Sequence, residues 1–334
     1  ISTGSKIILQ ATDFITVSND FNLSTATTGT TGNTTNISLV LQAGGSININ
    51  ADITLDGTGT LHLEADSFHS TSGAANNVGD LTFASGTTTT TGGGAVTLIA
   101  NDFAIVGTIN SGTGSVNIAR SVNGDTLALG TATSAMLTDT ELDNITTTGT
   151  LTLGQASTAG TNGDSMAAVQ TLISGAITLD ELTLGAKNVS LVSSSTINDD
   201  DDTGAALTTT GNLSLTTTLA SGAAIGGANT QGLDLDIGGT VTISSTGTGA
   251  VTITEANGLD FGTTGIGGAL TATATLGDIV DTGVLTITGA SIFNTTAAGA
   301  NIVLDSSTNA YSNTVTLQAN AGAGTFGNIT FIDS

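Results

Sequence analysis

The chain contains no cysteine, no proline and no tryptophan, and only three of its 334 residues (Lys6, Arg120 and Lys187) are basic. Each absence excludes something. Without cysteine the fold must be held by hydrogen bonds and packing, which suits an exported protein. Proline removes a backbone donor, so its absence fits a structure in which every N–H is paired. Aromatic residues make up 3%. That is too few for the girdles of an outer-membrane barrel or the signatures of a propeller blade, and it leaves little platform for a polysaccharide. Three cations against 27 acids give a net charge of −24. Such a balance cannot build phosphate contacts or a basic patch, which argues against nucleic acid and anionic membranes, although it permits association with divalent cations. No apolar run approaches the roughly 18 residues of a membrane-spanning helix.

What remains is strand material. Hydrophobic residues reach 38%, and the large aliphatics among them, Ile, Leu and Val, stand mostly at alternate positions. Charged residues are 9%, against about 25% in ordinary domains. Forty-six glycines supply tight corners. One phrase organises the rest: a glycine, two inward aliphatics, a polar corner, then a new strand. It stands at residues 94–103, at 61–68 and at 7–14. Its leading glycine recurs at Gly45, Gly59, Gly79, Gly94, Gly114, Gly149, Gly175, Gly211, Gly239, Gly249, Gly283 and Gly327. Period-2 alternation is near-universal, and helical spacing is rare.

Short strands that repeat one phrase predict an all-β solenoid: about 15 coils of roughly 20 residues, three strands per coil, each strand parallel to its equivalents above and below. At ~4.8 Å per rung this gives a rod of roughly 70 Å. Residues 1–334 read as a single continuous segment, a piece of a longer chain, with lateral excursions near 131–148 and 155–172. The first has apolar spacing suggesting a turn of helix at 136–145. The second reads as a loop and a short helical turn across 158–170.

Laid out this way, the repeats resemble those of bacterial filamentous-haemagglutinin-like adhesins. The resemblance is carried by residues 94–103, 59–68, 239–243, 249–253 and 315–320, and by a second phrase running from 114–118 through 127–130 and 140–145 to 151–154. It covers nearly the whole chain. It implies a right-handed parallel β-helix, outer-membrane secretion, and service as a long surface fibre or adhesin stalk; the family's secretion-recognition domain is not recognisable here.

Candidate sites are few. His62, Glu64 and Asp66, with His69 nearby, alternate on one strand and offer imidazole and carboxylate ligands for a transition metal. The plainer reading is a solvated outer face opposite the inward Leu61 and Leu63, and no metal is expected. Asp199, Asp200, Asp201 and Asp202 form the densest charge, a candidate Ca²⁺ position weighed against a solvated acidic turn. Stacking places Asp234, Asp236 or Asp260 within reach of one another, as glycoside hydrolysis would require, but nothing accompanies them to bind a sugar, and no enzyme is expected. Thr-x-Thr pairs at 240/242, 252/254, 271/273/275 and 286/288 suit an ordered-water surface, or simply the outward β-preference of threonine. The expected function is therefore that of a non-catalytic extracellular structural protein at the bacterial cell surface, partnered by neighbouring coils or by copies of itself. The alternatives are a glycan- or surface-binding module using the two excursions and, behind it, an ice-binding solenoid.

Overall fold

A computed structural model describes residues 6–23, 36–67, 78–132, 134–159, 169–201, 203–227, 232–320 and 324–334. The protein is a parallel β-solenoid with one short helix among the described residues. It divides into two compact units, Ile1–Leu127 with Met136–Ser174, and Ala128–Ala135 with Gly175–Ser334.

In the first unit the first four coils each contribute three short strands. One coil runs Ser38–Ala43, Ile47–Ile49, Ile53–Thr54; a later one runs Val96–Ala100, Asp102–Ile105, Thr108–Gly112. Equivalent strands pair in parallel and in register, so like stacks on like. Ile7, Leu39, Leu61, Val96, Val116 and Leu151 form one inward column, and Leu9, Leu41, Leu63, Leu98, Ile118 and Leu153 the next. The second face stacks Val17, Ile49, Phe83 and Ile105, and the third stacks Phe21, Ile53, Thr89, Ile109 and Ile145. Each fully buried aliphatic side chain contributes about 1.5–3 kcal/mol.

The second unit repeats the plan. Val189, Leu213, Val241 and Phe261 stack on one face, while Leu233, Ile253, Ala272, Phe293 and Leu317 stack on another. Its interior also holds an aromatic run, with Phe261 to Phe293 at 6.0 Å, Phe293 to Tyr311 at 6.2 Å and Tyr311 to Phe331 at 5.0 Å between ring centres. Coil length departs from the uniform 20 residues that the repeat suggests. Successive rungs are offset by 32, 22, 35, 20 and 35 residues in the first unit, and by 24, 28, 20, 20, 23 and 27 in the second. Apart from a shift between Asn110 and Gly112 and a one-residue change of offset along Val241–Ser245, the strands keep their register, so most of the extra residues are accommodated in the corners between them.

Corners are built by two devices. The first is the leading glycine. A Cβ at Gly94 would run into the Gly59 carbonyl, and one at Gly114 into that of Gly94. These glycines therefore stack directly, and buried hydroxyls one turn earlier bond their carbonyls: Thr91 Oγ1 to Gly94 O at 2.5 Å and Ser111 Oγ to Gly114 O at 2.7 Å. The second device is an Asn or Asp whose carboxyl or amide oxygen accepts the backbone N–H of the next rung. Asn188 accepts Asn212 N–H at 3.0 Å, and Asn212 accepts Thr240 N–H at 2.9 Å. Likewise Asp278 accepts Asn301 N–H at 2.7 Å, and Asn301 accepts Asn328 N–H at 2.8 Å. Side chains thus continue the hydrogen-bond ladder through turns where backbone pairing lapses.

The excursion at 136–145 contains the helix Asp139–Asp143, opened by a capping box between Thr138 and Glu141. It closes the exposed edge of Asp102–Ile105. Glu141 Oε1 accepts Ile105 N–H at 3.2 Å, and Asn144 Nδ2 donates to Ile105 O at 2.7 Å. An edge strand left open invites pairing with another chain, and here side chains occupy it.

Candidate functional site

The largest departure from expectation lies on the outside of the first unit. His62, Glu64 and Asp66 do not form a solvated face; their exposures are 9%, 3% and 2%. For His62 and Glu64 the reason is a hairpin. Strands Gln155–Ser157 and Thr171–Ile173 pair antiparallel and lie across the outer face, where Ala156 and Leu172 pack on Ile99 and Ala119. Its polar end reaches Glu64, whose Oε2 accepts Ala159 N–H at 3.3 Å. The same oxygen accepts from Gln42 Nε2 at 3.0 Å and pairs with His62 Nε2 at 3.2 Å. Gln10 Nε2 donates in turn to Gln42 Oε1 at 2.8 Å, so an amide ladder climbs the rungs and ends on an acceptor-only carboxylate. Burial pushes the Glu64 carboxyl up, but His62, Gln42 and the Ala159 N–H together hold it below its ordinary value.

The sign of that shift makes a prediction. A depressed folded value means the contribution is present above the unfolded carboxylate range and is lost as pH falls through the folded value. Acid should therefore loosen the hairpin, read as faster amide exchange at 155–159 and 169–174, and Glu64→Gln should flatten that dependence.

Asp66 belongs to a separate corner. It adopts φ +54° and accepts Ser121 Oγ–H at 2.8 Å. Beside it Arg120, 7% exposed, donates to Thr126 O at 2.9 Å and Asn101 Oδ1 at 2.8 Å, and reaches Asp125 Oδ2 at 3.4 Å. In register Arg120 follows Ala100, so a long cation takes an alanine position and pins the corner loop. Arg120→Met should cost roughly 2–4 kcal/mol in urea unfolding, because buried acceptors lose a charged donor. His69 lies outside the described residues.

The acidic run of the second unit is divided. Asp199 points inward, opposite Leu179 in register, and is 4% exposed. Burial pushes its carboxyl up to about 6 and the Asp234 charge adds to the rise, while the Asp201 N–H that it accepts works against it. Asp200 and Asp201 flank it, with Asp201 accepting both Thr203 N–H and Thr203 Oγ1–H at 2.8 Å; Asp202 is outside the described residues. The solvated-turn reading therefore fails for Asp199. Among the described residues no three His, Asp or Glu groups converge to hold a metal ion. Asp236 is engaged by Asn257 Nδ2 at 2.6 Å and Asp260 by Thr282 Oγ1 at 2.9 Å, each on the outward phase of its own strand. Threonine pairs do rank across rungs, Thr252 on Thr271 and Thr254 on Thr273, but the next rung continues with Ile292 and Asn294.

A fourth group had no counterpart in the sequence reading. Glu255 is fully buried, occupies an inward position between Leu235 and Ala274, and accepts Ile237 N–H at 2.9 Å. Burial pushes its carboxyl up to about 8, with Asp236 adding to the rise. An acidic residue on the inward phase of Val251–Glu255 was the available signal.

These polar groups serve the stack: they end ladders, pin corners and replace missing rung partners. Residues 248–318 match a family described as repeats of unknown function (DUF5649). No curated protein and no solved structure matches the chain. The matched region contains the strands Val251–Glu255, Leu270–Ala274, Ser291–Thr295 and Val315–Gln318, four successive rungs of one ladder. The family therefore coincides with the coils as structural repeats. Among the described residues no helix is long and apolar enough to cross a membrane.

Proposed function

We propose that this protein is a non-catalytic structural solenoid, a shaft segment of a long bacterial cell-surface fibre of the filamentous-haemagglutinin-like kind. The observation that carries this reading is that the longest ladder of each unit keeps parallel rungs with aliphatic on aliphatic while coil length varies from 20 to 35 residues. The stacking is retained and the corners vary, as a repeat array held by nearest-neighbour contacts allows. The polar side chains support it too, since Gln42, Glu64, Arg120, Asn188 and Asn212 are engaged in holding rungs and corners. The helix at Asp139–Asp143 is committed to an internal strand edge, which favours the shaft reading over recognition through that excursion.

Localisation tests the proposal. Protease shaving of intact cells should release fragments of this chain without lysis. Protection until the cells are broken would overturn the extracellular assignment.

A further inference from the structure

A groove of about 340 Å³ crosses one corner of the second unit, lined in turn by Gly204, Asp234, Thr254 and Leu276 from four successive coils. At one rung per ~4.8 Å it spans about 14 Å. One end is acidic. Asp234 lines it, and Glu181 stands over Gly204 so closely that a Cβ there would lie 2.9 Å from Glu181 Oε1. Behind this end Asp199 is buried with its Oδ2 unpartnered; the Asp234 N–H donates to its carboxylate while the Asp234 charge repels it. The other end is apolar, lined by Ala256 and by Leu276, which is 71% exposed; Thr254 and Thr275 also line the groove. The unit carries fourteen acids by sequence and one cation, Lys187, which is not part of the lining.

We propose that this groove docks an alkylammonium group, presented as a lysine side chain of a partner protein. The ammonium sits at the Asp234–Glu181 end, and its methylenes lie along Ala256 toward Leu276. Two features select this chemistry. A bare divalent ion needs several converging oxygen ligands, and no three acidic or imidazole groups converge among the described residues. A guanidinium gains most from aromatic stacking or a bidentate partner, and the lining contains no aromatic ring. A compact cation on an apolar stem matches a groove that is acidic at one end and aliphatic at the other.

The test is an amide NMR titration of the whole chain with the capped tripeptide Ala-Lys-Ala, and with the same peptide acetylated on its lysine, at fixed ionic strength. Saturable shifts are expected at Gly204, Asp234, Thr254, Thr275 and Leu276. Binding should weaken at least tenfold on acetylation and in Asp234→Asn, and about threefold in Leu276→Ser. If Asp234→Asn perturbs the spectrum throughout, the acetylated peptide and Leu276→Ser decide. Equal binding of the two peptides would overturn the proposal, as would shifts scattered over the other carboxylates or the same shifts produced by Ca²⁺ alone.

Discussion

Gly268→Ala is expected to destabilise the second unit by about 3–5 kcal/mol, while Gly265→Ala, three residues earlier, changes it by less than about 1 kcal/mol. The two glycines are equivalent in composition and opposite in surroundings. A Cβ at Gly268 would run into the Gly249 carbonyl and stand 2.8 Å from the Thr248 oxygen, so backbone must move. Gly289 in turn stacks on Gly268, and a shift there would pass to the next rung. Gly265 lies in the strand Thr264–Ile266 with nothing within 4 Å of its added Cβ, so alanine there only reduces the freedom of the unfolded chain. Urea unfolding gives the magnitude. Amide exchange across 249–274 shows whether the loss is centred on the corner, as nearest-neighbour stacking requires.

The second large effect is a dependence on alkali. Glu255 titrates at about 8 in the folded protein, against an ordinary value of 4.5. The folded state therefore keeps a proton that the unfolded chain releases. Its contribution is complete below about pH 4.5, declines as pH rises, and is exhausted above about pH 8. Integrated over that interval, the loss is roughly 3–5 kcal/mol. Asp199, raised to about 6, acts with the same sign over a lower range. Glu255→Gln keeps an acceptor for the Ile237 N–H and cannot ionise. The variant should match the parent within about 1 kcal/mol at pH 5 and exceed it by a few kcal/mol at pH 9. Parallel stability curves for the two proteins would contradict the assignment.

The sequence made the architecture legible because the inward phase of each strand is written in Ile, Leu and Val, and the Gly94 and Gly114 positions mark where rungs turn. It was less informative about the outside. Alternation assumes that the phase opposite Leu61 and Leu63 meets water, and the antiparallel pair Gln155–Ser157 and Thr171–Ile173 cancels that assumption for His62 and Glu64. A signal was present all the same: Leu98-Ile99-Ala100 breaks alternation, and Ile99 is the residue the hairpin covers. Arg120 was read only as a scarce charge, because its partners at Asn101 and Thr126 depend on how the corner folds. Asp199 illustrates the same difficulty: charge density suggested solvent, whereas strand phase, with Ile197 inward two residues earlier, points Asp199 into the stack.

Rungs stack in parallel and in register, and the absence of cysteine allows this to be tested directly. Thr254 and Thr273 face each other across adjacent rungs, while Thr254 and Thr271 are displaced by two residues. In-register neighbours lie ~4.8 Å apart, within the Cα range of a disulfide, whereas the displaced pair is separated by about 8 Å and falls outside it. Mild oxidation of the double variant Thr254→Cys with Thr273→Cys should give an intramolecular disulfide, and Thr254→Cys with Thr271→Cys should stay reduced. Cross-linking of the displaced pair in preference to the aligned one would contradict the stacked-rung structure.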